Sequence, residues 1–249
     1  MQESTTSKNN KVLKFFLRIV VYVIGLFFVA WGIAFSINSN LGISPSTSFP
    51  YMLDKVTGIG IQYTIIIVYV TYVVIQIILL RKNFKLYNLF QVVFAVLFGY
   101  MTDFTKSTVG SECLLPTYFG QLAMMALSLV FIAIGIMLYV NASLVPMPAE
   151  GFALALAQVQ NRFKFHHTKI FADVLSVTLA VTLSLVFFGK LDGVREGTII
   201  TALSVGALVK VFQKPFKPLF DYLLDRKNQE PTVKDQSQDD SQQESEKKD

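Results

Sequence analysis

The sequence predicts an all-α membrane protein with six transmembrane helices arranged as an inverted three-plus-three repeat, and a short half-helix or interfacial helix in each half. Three observations predict this class. The chain has 249 residues, of which 53% are hydrophobic and 16% charged, whereas soluble domains carry about 25% charged residues. Its mean hydropathy is +0.50. Segments long enough to cross a bilayer recur along the chain, and two of them resemble each other.

The internal resemblance has a fixed offset of 103 residues. Six of the eighteen positions from 32 to 49 recur: Gly32, Ile33, Asn38, Leu41, Pro45 and Phe49 match Gly135, Ile136, Asn141, Leu144, Pro148 and Phe152. Such self-similarity indicates a duplication. A half with an odd number of spans is inverted in its second copy, which is the architecture of many secondary transporters.

Six spans are predicted, at about 15–37, 61–80, 86–104, 117–140, 169–188 and 197–213. The first is too long for the apolar core of a signal peptide, which has about 7–15 residues. The third and sixth are the weakest, because Asn88, Gln91 and Asp103 dilute one and Lys210 shortens the other. The first membrane repeat is then 14–108 and the second 117–215.

Loop charges give the orientation. Basic residues follow spans two, four and six, whereas the loops after spans three and five have mixed charge. Positive loops stay on the cytoplasmic side, so the segment 1–13 and the acidic, disordered tail 227–249 are both predicted to be cytoplasmic. The net charge of +5 therefore reflects orientation, and no nucleic-acid partner is predicted. The expected partners are the lipid bilayer, an unknown small solute or ion, and in a homo-oligomer a second copy.

Each repeat contains a linker with a proline, at 38–60 and 141–168. Pro45 and Pro148 precede apolar segments at 46–56 and 149–159, each about half a span long. Proline suits the first turn of a helix and marks a helix break or hinge. The segments are either re-entrant half-helices or helices at the membrane surface. The inverted pairing favours re-entry.

The first turns of these segments hold the main candidate binding residues. Glu150 is a candidate cation or proton site, or a capping charge favoured by the helix dipole. Its counterpart in the first repeat is Thr47, so a role that needs charge belongs to one half. Ser44, Ser46 and Thr47 offer hydroxyls for a polar or anionic solute, or they cap the helix.

Further candidates lie on or beside the spans. Asp173 is an intramembrane carboxylate, which is a functional hypothesis by default, or a partner of Lys169 four residues earlier. Asn38 and Asn141 end spans at matched positions, as cavity or hinge residues or as partners of helix-end carbonyls. Arg195 lies in a polar turn and is either an anion contact or part of that turn.

Enzymatic activity is not expected. The chain has no P-loop, no HExxH and no GxSxG motif. No metal or other cofactor is predicted, because Cys113 is the only cysteine and the adjacent His166 and His167 do not by themselves complete a site.

Three short motifs carry a resemblance to a known group. They are Asn40 to Pro45, Pro146 to Phe152 and Gly193 to Thr198. Over about residues 14–215 the chain resembles the YczE/YyaS/YitT group of bacterial membrane proteins. Members of the YitT branch often carry a soluble C-terminal domain that this sequence lacks, so the YczE-like branch is the closer match. The resemblance implies a bacterial plasma-membrane protein and brings no established substrate.

The leading functional hypothesis is a secondary transporter or permease of a small solute. The alternatives are the substrate-binding membrane subunit of a vitamin-type importer, and a membrane scaffold or regulator whose acidic tail recruits a partner.

Overall fold

The structure is a computed structural model that describes residues 2–110, 115–160 and 165–224. In these ranges the chain is helical and contains no strand. The eight α-helices are α1 (Gln2–Ser39), α2 (Pro45–Thr57), α3 (Ile61–Leu80), α4 (Phe90–Val109), α5 (Tyr118–Ala142), α6 (Pro148–Gln160), α7 (Phe165–Phe188) and α8 (Glu196–Leu224). Two short 3-10 helices, Arg81–Asn83 and Leu86–Leu89, join α3 to α4.

The six predicted spans are confirmed as helices long and apolar enough to cross a membrane. They are Leu13–Ser39, Ile61–Asn83, Leu86–Val109, Tyr118–Ala142, Phe165–Phe188 and Glu196–Phe216. The two spans with the weakest sequence signal, the third and the sixth, are both among them. Helix α1 begins at Gln2, so the polar N-terminal segment continues the first span as helix. The predicted disordered tail at 227–249 lies outside the described residues.

An antiparallel pair, α1 and α5, forms the centre of the bundle. A Cβ added to Gly25 would lie 2.6 Å from the Tyr139 nitrogen, and one added to Gly32 would lie 2.9 Å from the Ile132 nitrogen. Later residues of α1 thus contact earlier residues of α5, so the two helices are antiparallel. Only residues without a side chain let two backbones come this close, which explains the glycines in both helices.

The other helices are arranged around this pair in matching ways. Helix α4 packs on α1, and α8 packs on α5. Helix α2 lies against α7 and α3, whereas α6 lies against α3 and α7. The two short helices are thus placed between the same two spans. The contact between α3 and α4 lacks a counterpart of similar extent, because α8 packs mainly on α5 and little on α7.

The chain leaves α1 and α5 through the same backbone conformation. Asn40 has φ 54° and Ser143 has φ 52°, and these positions are 103 residues apart. Each donates its N–H to the carbonyl three residues earlier, at 3.2 Å. A few residues later Pro45 and Pro148 become the first residues of 13-residue helices, where a missing N–H leaves no helix bond unmade. Helix α2 ends at Thr57 and is capped by Gly58, whose φ of 67° suits glycine.

Candidate functional site

Helix α2 runs along the side of α7. Ser46, in the first turn of α2, bonds to Asp173, in the third turn of α7. Lys55, in the last turn of α2, forms a salt bridge with Asp192, just beyond the end of α7. Helix α7 turns small buried residues to its neighbours every four positions: Ala172, Ser176, Ala180 and Ser184. Small side chains at this spacing let helices approach closely.

Helix α6 runs along the side of α3 in the corresponding manner. The carbonyl of Pro148 accepts a hydrogen bond at 3.2 Å from the Gln76 side chain. The rings of Phe152 and Tyr72 stack at 5.2 Å with an angle of 8° between their planes. Further along, Leu156 packs in one cluster with Leu79, near the end of α3. The first turn of α2 therefore lies well inside α7, whereas α6 packs against the second half of α3, between Tyr72 and Leu79.

The first turn of α2 belongs to a polar cluster with α7. The Lys169 ammonium donates to the Ser46 hydroxyl at 2.9 Å and forms a salt bridge of 2.7 Å with Asp173. Ser46 donates to the same carboxylate at 2.9 Å. The predicted pairing of Lys169 with Asp173 is thus present, with Ser46 as its third member. About a quarter of each charged side chain is exposed, so this cluster is partly open to solvent.

A proline adds an acceptor to this cluster. Pro50 lies inside α2 and has no N–H to donate to the Ser46 carbonyl four residues earlier. The Ser46 oxygen therefore has no partner from the regular helix ladder. The first turn of α2 thus offers this carbonyl oxygen in addition to the Ser46 hydroxyl.

Glu150 lies in the first turn of α6, where the Tyr139 hydroxyl of α5 donates to its carboxylate. The residue is partly buried. Lys169 and Asp173 are close enough for their charges to act on this carboxyl. The fold thus brings together two predicted site residues that are 23 positions apart, Glu150 and Asp173, with Ser46 of the other short helix in contact with the second.

Two buried polar atoms near Glu150 have no hydrogen-bond partner in the described part of the chain. One is the hydroxyl of Tyr22, a fully buried residue of α1 whose ring packs edge-on to Tyr139 at 5.8 Å. The other is the side-chain nitrogen of Gln91, whose oxygen accepts from Gln76 at 3.2 Å. Buried polar atoms are nearly always hydrogen-bonded, so both atoms indicate a place for a further polar group.

A glycine leaves room for these amides. A Cβ on Gly151 would lie 2.7 Å from the Gln76 side-chain oxygen and 2.9 Å from that of Gln91. Any other residue at this position would push the amides away from the first turn of α6. The site therefore combines a carboxylate, two amides and hydroxyls around the start of one helix.

An aromatic cluster lies beside the carboxylate. Tyr22 packs against Phe94 with ring centroids 4.3 Å apart, and Tyr69 stacks on Phe98 and Tyr72 at 6.0 and 6.2 Å. Tyr69, like Tyr22, lies within electrostatic reach of Glu150. The Tyr72 hydroxyl shares a 2.9 Å hydrogen bond with Ser176 of α7, which links this aromatic cluster to the α7 side of the site.

The remaining predicted residues lie at helix ends. Asn38 donates to the Gly110 carbonyl at 3.3 Å, and Asn141 to the Met137 carbonyl at 2.7 Å. Ser44 precedes α2 without making a side-chain cap, and Thr47 donates to its carbonyl. Arg195 donates to the Asn40 carbonyl at 3.0 Å. Arg195 thus ties the α7–α8 turn to the end of α1, whereas the hydroxyl of Thr47 serves the first turn of its own helix.

The last turn of α2 is held by two salt bridges. Asp54 is nearly buried and pairs with Lys106 of α4 at 2.7 Å, while Lys55 pairs with Asp192 at 2.9 Å. The Tyr51 ring lies near both ammonium groups, at 5.2 and 6.0 Å from its centroid. Helix α2 is thereby fixed to two different helices at the end of the bundle that holds the α7–α8 turn.

Sequence reasoning missed the tyrosines. Tyr22, Tyr69, Tyr72 and Tyr139 lie inside apolar spans, where an aromatic side chain gives no signal of its own. The available signal was the hydroxyl, because a tyrosine inside a bilayer needs a polar partner. Gln76 and Gln91 carried the same kind of signal, since amides in spans form hydrogen bonds between helices.

The fold and these interactions define a multi-pass α-helical membrane protein with a polar cluster between two short helices. Residues 16–214 match the family described as "Family of unknown function (DUF6198)", and the chain belongs to it. Over 196 residues it is 26% identical to "Uncharacterized protein YyaS" of Bacillus subtilis (strain 168), with 79% of this chain and 92% of that protein covered. The predicted resemblance to the group that includes YyaS is thus confirmed. No solved structure matches the chain.

Proposed function

We propose that the protein is a secondary transporter or permease of a small solute in the bacterial plasma membrane, with both termini in the cytoplasm. The observation that carries the proposal is the convergence of ionisable and hydroxyl groups from the first turns of α2 and α6. Ser46 contacts Asp173, and Asp173 lies within electrostatic reach of Glu150. Ionisable groups inside a helical bundle are costly and usually mark a solute or ion path.

The proposal includes an inverted repeat with α2 and α6 re-entering from opposite faces. Exchanging α1, α2, α3 and α4 for α5, α6, α7 and α8 leaves most of the packing pairs unchanged. Phe28 of α1 stacks on Phe131 of α5 at 5.5 Å, and these residues are themselves 103 positions apart. A residue that packs against its own counterpart is what a two-fold axis through the α1–α5 crossing would produce.

Re-entry is supported by the way the short helices pack. A helix at the membrane surface would contact only the ends of the spans, whereas Ser46 reaches the third turn of α7. Pro148 likewise contacts Gln76, more than a turn before the end of α3. Irregular backbone at this depth is tolerated where it is buried in protein or lines a cavity.

Solute flux in proteoliposomes tests the proposed function. Purified full-length protein would be reconstituted and screened with labelled cations, anions and neutral solutes. We expect flux of at least one class, and a loss of more than about tenfold in Ser46→Ala and Glu150→Gln. Glu196→Gln is the matched control, because this carboxylate is half-exposed at the start of α8. Absence of flux for every class, or equal flux in all three variants, would contradict the proposal.

A further inference from the structure

The charges around the first turn of α6 do not balance. Asp173 is paired with Lys169 at 2.7 Å, so these two groups neutralise each other. Glu150 instead receives its hydrogen bond from the neutral hydroxyl of Tyr139. The cluster formed by these four residues therefore carries one unit of negative charge when Glu150 is ionised. A negative charge inside a bilayer protein requires a compensating cation or a proton.

The polar atoms beside Glu150 are also incomplete. The Tyr22 hydroxyl and the Gln91 side-chain nitrogen lack partners in the described part of the chain, although both residues are at least 99% buried. Leaving such a group unsatisfied costs about 1–3 kcal/mol. Tyr22 packs on Tyr139 of α5, whose hydroxyl donates to Glu150, and the oxygen of the same Gln91 amide lies close to Gly151. A bound molecule that carries a hydrogen-bond acceptor, such as a hydroxyl, would satisfy the Gln91 nitrogen and could also pair with the Tyr22 hydroxyl.

Several tyrosines lie close to the carboxylate. Tyr22, Tyr139 and Tyr69 all lie within electrostatic reach of Glu150, and Tyr72 stacks on Tyr69. Aromatic faces attract cations, most strongly where water is excluded. An anion would meet an unbalanced carboxylate there. The chemistry of these tyrosines thus agrees with the charge of the cluster.

We propose that Glu150 binds a small organic cation in exchange for a proton. The inference rests on the proposed function, because it assigns a substrate class to the same site. In the exchange the carboxyl O–H bond breaks as the cation arrives, the proton leaves to water, and the carboxylate keeps the electron pair and forms an ion pair with the cation. Release of the cation restores the O–H bond with a proton from water.

The other titratable groups near Glu150 are not expected to release a proton when a cation binds. Those that face it are Tyr22 from α1, Tyr69 from α3, Tyr139 from α5, and Lys169 and Asp173 from α7. The three tyrosines are neutral, and the last two residues form a salt bridge with each other. Glu150 is therefore the group in this set whose charge a bound cation would complement.

Proton release on binding tests the proposal. Full-length protein in detergent and weak buffer would be mixed with choline, whose permanent charge gives up no proton of its own and whose hydroxyl can pair with the Tyr22 and Gln91 side chains. The pH change and the bound cation would be measured across about pH 5 to 8. We expect saturable binding and release approaching one proton per cation at the acidic end of this range. Valerate, an anion of similar size, should not bind.

Variants locate the exchange. Glu150→Gln should weaken cation binding more than about tenfold and abolish proton release, whereas Glu196→Gln should behave as wild type. Tyr22→Phe removes a single hydroxyl from the site and should weaken binding several-fold with proton release intact. It keeps the test decisive if Glu150→Gln fails to fold.

The two proposals fail in different ways. Flux of an anion or a neutral solute in proteoliposomes, with no saturable choline binding, would overturn the organic-cation inference and leave the permease standing. Cation binding without proton release at any pH would overturn the exchange. Binding and release in detergent with no flux in liposomes would support the site and contradict transport.

Discussion

The close crossing of α1 and α5 gives the most quantitative prediction, through Gly25→Ala. The new Cβ would lie 2.6 Å from the Tyr139 nitrogen and 2.9 Å from the Gly135 oxygen, whereas ordinary contacts begin at 3.4 Å. Both obstructing atoms belong to the backbone, so relief requires the two helices to separate. Crowding of this kind typically costs about 1–3 kcal/mol.

A matched glycine separates this crowding from the helix propensity of alanine. Alanine stabilises a helix interior by about 1 kcal/mol relative to glycine. Gly206, in α8, would place its Cβ in open space, so Gly206→Ala should show the propensity term alone. The difference between the two variants, about 1–3 kcal/mol, then reports the crossing. For a chain of this size the difference corresponds to roughly 2 to 12 °C in unfolding midpoint.

Intrinsic fluorescence provides the assay. Trp31 is the only tryptophan of the chain and packs on Phe27 and Phe35 in α1. Its emission during heating in detergent should therefore follow the loss of this core. Gly135→Ala crowds the same crossing, so the double variant should lose less than the sum of the single losses. Equal midpoints for Gly25→Ala and Gly206→Ala would refute the close approach of the two helices.

Two other predictions concern the site and the fixed end of α2. Gly151→Ala pushes against two amide side chains, which can rotate. Flux and cation binding should therefore fall more than about tenfold, while the free energy of unfolding changes by less than about 1 kcal/mol. Unaltered binding would show that the amides take no part in the site. Double-mutant cycles on unfolding midpoints should give the nearly buried Asp54–Lys106 pair a coupling of about 1–3 kcal/mol. The more exposed Lys55–Asp192 pair should give about 0–1 kcal/mol, and the reverse order would contradict the burial assigned to them.

The sequence predicted most of the helical architecture, because the number and position of spans depend on length and hydropathy. The start of each short helix was equally readable, since Pro45 and Pro148 suit a first helical turn. The starting residue of α1 was less predictable from the sequence. Its polar N-terminal residues show no apolar periodicity, yet the helix continues through them from Gln2.

The site was predictable only in part. Glu150 and Ser46 were identified because they lie in the first turns of the short segments, and Asp173 because carboxylates are rare inside spans. Their mutual placement depends on α2 lying along α7, a tertiary contact with no local signal in the sequence. The same holds for Tyr139, which is an ordinary apolar-span residue until the fold brings its hydroxyl to Glu150. Local pattern thus found the chemical groups, and packing determined which of them meet.

The central claim is that α2 and α6 enter the bundle from opposite membrane faces and bring their first turns to one site. Single-cysteine labelling tests it most directly, in a Cys113→Ser background. Thr57 and Gln158 are exposed residues in the last turns of α2 and α6. A membrane-impermeant maleimide applied to intact cells should label Thr57→Cys, and should label Gln158→Cys only after the membrane is opened. Labelling of both positions from the same face would contradict the account.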